Sequence, residues 1–64
     1  MAQNKVYEHG YTMGYDWVEF EGGNSKYAYA EIRRRGLSPR TTYGVGFMKG
    51  AEDAKNHAPR RYCV

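Results

Sequence analysis

Two nine-residue stretches share a pattern of glycines and aromatic residues that constrains the fold. The first, YEHGYTMGY, covers residues 7–15, and the second, YGVGFMKGA, covers residues 43–51. Both read Tyr-x-x-Gly-aromatic-x-x-Gly. Residues four apart lie on one face of an α-helix, and a glycine inside a helix costs about 0.8–1 kcal/mol relative to alanine. A close contact along these glycine faces therefore has to offset that cost.

Helix packing is the contact that this pattern predicts. A glycine face lets another backbone or a flat ring approach closely. We therefore predict that two helices pack on each other, with the rings of each over the glycines of the other. The alternative is that the glycine groove receives the helix or ring of a partner. The residues assigned to the packing are Gly10, Gly14, Gly46, Gly50, Tyr11 and Phe47.

Apolar residues around both stretches recur at the spacing of an amphipathic helix. The first helix is predicted at about 4–20, with Asn4 as its N-cap. The second is predicted at about 39–57, because the Ser-Pro pair at 38–39 is a typical helix start and the Ala-Pro pair at 58–59 a typical stop. The two helices are expected to form the core of the fold.

The middle of the chain allows two structures. As a helix it would cover about 26–35, with Ser25 as its cap and Gly36 at its end. As a β-hairpin it would cover 17–32, because tyrosines alternate with small or apolar residues at 27–32, after a Gly-Gly turn, and the residues before that turn, WVEFE, also alternate. We favour an all-α fold of three helices, and the alternative is an α+β fold with the hairpin.

The size of the chain indicates one small domain. Its 64 residues are assigned to a single unit, 1–64, that we expect to be frayed at about 1–3 and 59–64. Domains this small are marginally stable and usually need a disulfide, a metal or a partner. The single cysteine, Cys63, forms no internal disulfide, so a larger partner or a homodimer is expected. No apolar stretch has the length of a signal core or a membrane span, and we expect a cytoplasmic protein without a membrane contact.

The ionisable residues do not indicate catalysis. A nucleophile needs a base and an orienting group close by, whereas Cys63 is next to last, His9 lies on the predicted polar side of the first helix and His57 lies near the end of the last. No Cys/His cluster has zinc spacing, and no glycine loop has the phosphate-binding pattern. We expect no catalytic residues, no metal and no cofactor, and interpret the chain as a binding module.

Basic residues concentrate in the middle of the chain. The net charge is +3, but residues 22–42 hold five Lys and Arg against one Glu, whereas residues 1–21 hold one Lys against four Asp and Glu. This asymmetry favours internal charge complementarity or a basic patch for an anionic partner. Arginine suits phosphate and aromatic rings suit unstacked bases, so RNA or the ribosome is the favoured partner. The candidate contacts are Arg33, Arg34, Arg35, Arg40, Arg60 and Arg61.

Aromatic residues outside the predicted helix contact support a second hypothesis. Aromatic side chains are enriched in protein interfaces and dominate their binding energy. The alternative function is therefore binding to one larger host protein, which the chain inhibits or modulates or which senses it. The candidate contacts for such a partner are Tyr15, Phe20, Tyr27, Tyr29 and Met48.

The two glycine–aromatic helices resemble the ribosome modulation factor family, which consists of very small basic helical proteins that bind ribosomal RNA. The matching positions are the Gly-aromatic-x-x-Gly motifs at 10–14 and 46–50, and the resemblance covers about 7–54. It implies a two-helix core and a basic surface on ribosomal RNA, with the arginines at 33–35 and 40 as contacts. The same helices also look similar to short accessory proteins of bacteriophages, which commonly bind one host protein.

Overall fold

The structure is a computed structural model that describes residues 4–62, and it is all-α. Helix α1 covers Lys5–Phe20, helix α2 covers Ala28–Arg34 and helix α3 covers Thr42–Lys55; a single 3₁₀ turn, Ser25–Tyr27, leads into α2. Residues 4–62 contain no strand, so the hairpin alternative at 17–32 is wrong. The fraying expected at 1–3 and the cysteine at 63 lie outside the described residues.

The start of each long helix is fixed by a polar side chain. Asn4 caps α1 as predicted: its Oδ1 accepts hydrogen bonds from the backbone N–H groups of Val6 and Tyr7, both at 3.1 Å. Helix α3 begins later than predicted, because the cap is Thr41, whose Oγ1 accepts from the N–H of Gly44 at 3.1 Å. The Ser-Pro pair at 38–39 belongs to the turn before the helix.

The short middle element has the predicted end but a different start. Asn24, not Ser25, caps the 3₁₀ turn, and its Oδ1 accepts from the N–H of Lys26 at 2.9 Å. Gly36 closes α2 as predicted, with φ of 78°. Its N–H and that of Leu37 donate to carbonyls in the last turn of α2, at 2.9 and 3.1 Å. This is the Schellman ending that favours glycine.

Helix α3 ends in the same geometry without a glycine. The helix stops at Lys55, two residues before the predicted end at 57. His57 takes the left-handed conformation, with φ of 58°. The N–H of Ala58 then donates to the carbonyl of Asp53 at 2.8 Å. A side chain with a Cβ disfavours this conformation by about 1–2 kcal/mol, so His57 is a strained position.

The backbones of α1 and α3 are in direct contact at the glycines. A Cβ added to Gly14 would lie 2.8 Å from the carbonyl carbon of Phe47, and one added to Gly50 would lie 2.8 Å from that of Tyr11. Real Cβ atoms essentially never come this close to another backbone. The backbone of the ring-bearing residues, rather than their rings, therefore covers the glycine faces.

The contacts also fix the direction of the helix pair. Gly10 faces the backbone of Tyr43, and Gly14, one turn later, faces that of Phe47. Positions on the two helices therefore advance together, so α1 and α3 run parallel. Segment 21–41, which contains α2, returns the chain to the start of the pair.

The apolar core lies between this pair and α2. Phe47 and Ile32 are fully buried, and the rings of Trp17 and Phe47 lie 5.5 Å apart between centroids. Ala28 and Ala51 complete the core. The apolar stripe of α1 continues to Trp17, and the burial of this side chain keeps the end of α1 helical. None of the helices within residues 4–62 has the length and hydropathy of a membrane-spanning segment.

Candidate functional site

The arginines at 34 and 35 share one carboxylate. Glu31 is buried and accepts hydrogen bonds from Arg34 Nε at 2.9 Å, Arg34 Nη2 at 2.7 Å and Arg35 Nε at 2.7 Å. The two bonds from Arg34, and then the bond from Arg35, lower the pKa of Glu31 to about 2. Two guanidinium groups on one carboxylate leave an excess of one positive charge.

These two arginines differ in their access to solvent. The side chain of Arg34 is 74% exposed, whereas that of Arg35 is 22% exposed. The guanidinium of Arg35 lies 5.0 Å from the centroid of the Phe47 ring, so it covers the core. Arg34 is therefore the member of the pair that an external anion reaches.

Arg33 and Arg40 have no ion pair with any carboxylate of residues 4–62. Arg33 is exposed and lies one helical turn after Tyr29, which is 51% exposed. Arg33 also lines a depression of about 340 Å³ beside Leu37. We call Tyr29, Arg33 and Arg34 the α2 face.

Arg60 and Arg61 lie elsewhere and are held by α1 and α3. Arg60 forms a close ion pair with Asp16 of α1, and its guanidinium lies 4.8 Å from the centroid of the Tyr15 ring. Arg61 Nε lies 3.4 Å from Oδ2 of Asp53 in α3. The six candidate arginines therefore do not form one surface.

A hydrogen-bonded tyrosine joins these elements. The hydroxyl of Tyr11 donates to Oδ2 of Asp53 at 2.6 Å and accepts from the backbone N–H of Arg61 at 3.2 Å. Burial, followed by the hydrogen bond to Asp53, raises the pKa of Tyr11 to about 12. The hydroxyl of Tyr15 donates to the carbonyl of Ala58 at 2.8 Å. Both tyrosines thus anchor the chain that follows α3.

Tyr62 completes this contact. Its ring packs edge-on against Tyr11 and Tyr7, with centroids 5.1 and 5.9 Å apart. Thr12 is buried, and its Oγ1 lies within hydrogen-bonding distance of the carbonyl of Tyr62, at 3.4 Å. Of the segment 59–64 that we expected to be frayed, residues 60–62 pack along α1. We call Arg60, Arg61 and Tyr62 the C-terminal strap.

The sequence did not indicate that Asp16 and Asp53 pair with arginines, or that Tyr62 packs on α1. The available signal was the charge asymmetry, which already allowed internal complementarity. The pair of Asp16 and Arg60 joins positions 44 residues apart, so no local pattern reveals it.

The aromatic candidates are distributed over several elements. Phe20, at the end of α1, is 73% exposed, and Tyr27 and Tyr29 are also exposed. Met48, on α3, lines a second depression of about 430 Å³ with three lysines. Tyr15 is half-buried by its contacts with the chain after α3. These side chains therefore do not form one continuous patch with Tyr15.

No group of three His, Cys, Asp or Glu side chains within residues 4–62 has the arrangement of a metal site. Comparisons of the chain with protein-family models, with curated proteins and with solved structures find no match. The resemblance to the ribosome modulation factor family stays a prediction, carried by the two glycine–aromatic helices.

Proposed function

We propose that this protein is a non-catalytic binding module that uses the α2 face to bind RNA, with ribosomal RNA as the expected partner. The orientation of charge on α2 carries this proposal. Glu31 is the one acidic residue in 22–42, and it is buried and already bonded to two arginines. The outer side of α2 therefore offers cations without a competing carboxylate from that segment.

The chemistry of the α2 face suits unpaired RNA. Guanidinium groups bind phosphate oxygens through paired hydrogen bonds. An exposed tyrosine ring supplies a stacking surface for a base, which contributes about 1–3 kcal/mol per base. Tyr29 and Arg33, one turn apart, offer both kinds of contact on one side of α2. Arg40, on the loop beyond the adjacent depression, adds a cation.

The buried polar groups of the described residues are bonded within the fold. Among residues 4–62, every buried side-chain nitrogen or oxygen has a hydrogen-bond partner. Glu31, Asp53 and Tyr11 are each held by neighbouring side chains. These groups therefore serve the fold, and the proposal assigns binding to the exposed side chains.

Salt-dependent RNA binding tests the proposal. Fluorescence anisotropy with a labelled single-stranded ribosomal RNA fragment would be measured between about 50 and 200 mM salt. We expect Arg33→Ala to lower the affinity and to reduce the salt slope by about 0.7, the contribution of one phosphate contact on a single strand. Lys5→Ala, which removes the same charge from the start of α1, is the matched control. Equal affinities for both variants and the natural chain would refute the α2 face as the RNA site.

The exposure of Phe20 favours the second candidate function, binding to one host protein. Phe20 is 73% exposed, and its neighbours Glu19 and Glu21 are exposed carboxylates. A large ring with acidic flanks suits a basic protein surface with an apolar pocket. Recovery of one protein that survives nuclease treatment and is lost in Phe20→Ser would support this function over RNA binding.

A further inference from the structure

The C-terminal strap is bound by the same chemistry that RNA would use. Its two guanidinium groups contact the carboxylates of Asp16 and Asp53, and its tyrosine packs against the rings of α1. Carboxylate and phosphate are alternative partners for an arginine fork. The strap therefore holds two cations and one ring in an internal contact.

The two carboxylates hold the strap with different strength. Asp53 is 4% exposed and lies between Tyr11, Arg61 and Lys49, whose Nζ is 3.7 Å from Oδ1. Asp16 is partly exposed, and the side chain of Arg61 is 61% exposed. Ion pairs this close to solvent are weakened by salt and by competing anions. Arg61 is thus available for exchange onto another anion, whereas Arg60, whose side chain is 26% exposed, also has to leave the Tyr15 ring.

The connection between α3 and the strap allows such an exchange without unfolding the helix pair. The end of α3 is closed by the N–H of Ala58 bonding to the carbonyl of Asp53, which lies before the strap begins. The closing turn contains His57 in the left-handed conformation, and Pro59 follows. The strap therefore extends beyond a completed helix end.

We propose that Asp16 and Asp53 act as internal competitors of RNA, so that the C-terminal strap withholds Arg60 and Arg61 until it is displaced. The inference rests on the proposed function and adds regulation to it. In the packed state the α2 face supplies the RNA contacts. In the released state Arg60 and Arg61 add two phosphate contacts, and Tyr62 adds a ring.

Two independent changes release the strap. Asp16→Asn with Asp53→Asn removes both anions and keeps an acceptor for the Tyr11 hydroxyl. Its matched control is Glu19→Gln with Glu21→Gln, which changes the net charge equally at exposed positions near the end of α1. Tyr62→Ala weakens the strap without changing any charge. Circular dichroism verifies that each variant keeps the helical fold, and Asp16→Asn alone replaces the double variant if that one unfolds.

Two measurements test whether the strap is released. Anisotropy with the same RNA fragment is expected to give tighter binding for the double aspartate variant, with a salt slope steeper by about 1.4, since two arginines each contribute about 0.7. Limited trypsin digestion, followed by mass spectrometry, is expected to cleave after Arg60 and Arg61 faster in both the aspartate variant and Tyr62→Ala than in the natural chain. The digestion rate does not depend on RNA binding.

The outcomes separate the inference from the proposed function. Equal salt slopes for the aspartate variant and the glutamate control, with RNA binding still lost in Arg33→Ala, would overturn the inference and leave the proposed function standing. Equal trypsin rates for the natural chain and Tyr62→Ala would also overturn it. Absence of salt-dependent RNA binding in every form would overturn both.

Discussion

Replacing Gly14 with alanine should destabilise the fold even though alanine is the better helix former. At an exposed helix position, the change from glycine to alanine would raise the free energy of unfolding by about 0.8–1 kcal/mol. Here the new methyl group would lie 2.8 Å from the carbonyl carbon of Phe47, and closer still to its oxygen. Carbon atoms pack best at roughly 3.5–4.0 Å. The parallel helices would therefore have to separate by roughly 1 Å, because neither backbone can rotate away as a side chain does.

The magnitude follows from the extent of the contact. A gap of about 0.5–1 Å forfeits a quarter to a half of the dispersion energy at each affected atom pair, and overpacked interiors typically lose about 1–3 kcal/mol. We expect a net loss of about 2 kcal/mol in the free energy of unfolding for Gly14→Ala. For a domain of this size, that lowers the melting temperature by about 8–16 °C.

Thermal and urea unfolding, followed by circular dichroism and by the fluorescence of Trp17, would measure this loss. Ala30→Gly, at an exposed position of α2, is the control for helix propensity alone and should cost about 1 kcal/mol. A higher melting temperature for Gly14→Ala would refute the reasoning, because propensity would then outweigh the contact between the helix backbones.

Three further predictions concern single groups. His57→Gly should raise the free energy of unfolding by about 1 kcal/mol, because His57 has φ of 58°. Asn56→Gly is the control, because Asn56 has φ of −86° and gains nothing from glycine. Equal effects of the two substitutions in urea unfolding would contradict the strain assigned to His57. The pKa of Glu31 is lowered from 4.5 to about 2, so the stability that its ion pairs contribute should be lost as the pH falls through that range. In Glu31→Gln the melting temperature should depend less on pH below about 4.5. The same dependence in the variant and the natural chain would argue against this assignment. The pKa of Tyr11 is raised from 10.0 to about 12, so stability should fall as the pH rises through that range. Tyr11→Phe should flatten the alkaline limb, and a limb as steep as in the natural chain would assign the loss to another group.

The helices could be predicted because their signals are local. The 3.6-residue period, the Asn4 cap and the Gly36 ending each involve residues within about one or two turns. The predicted three-helix, all-α fold is confirmed. The hairpin alternative failed because alternation over a few residues does not reveal that Trp17 is buried against Phe47.

For the candidate site, the sequence predicted the types of residue but not their contacts. The sequence identified the arginines but not which of them a carboxylate neutralises. Glu31 and Arg34 pair within one helical turn, so their contact could have been expected from spacing. The pair of Arg60 with Asp16 depends on how the chain after α3 returns to α1, and that of Arg61 with Asp53 on how this chain folds back along α3. Such contacts carry no signal in a single sequence.

The sequence by itself determined that the glycine faces of two helices need a close contact, because four glycines inside helices carry a cost that must be offset. It left open whether the other helix or a partner makes that contact. The tertiary structure alone decided that these helices run parallel and touch through their backbones. It also decided that α2 turns its carboxylate inward while the strap binds Asp16 and Asp53. The reason is physical. Helix periodicity depends on neighbouring residues, whereas the relative direction of two helices and the ion pairs of the strap depend on packing between different segments of the chain.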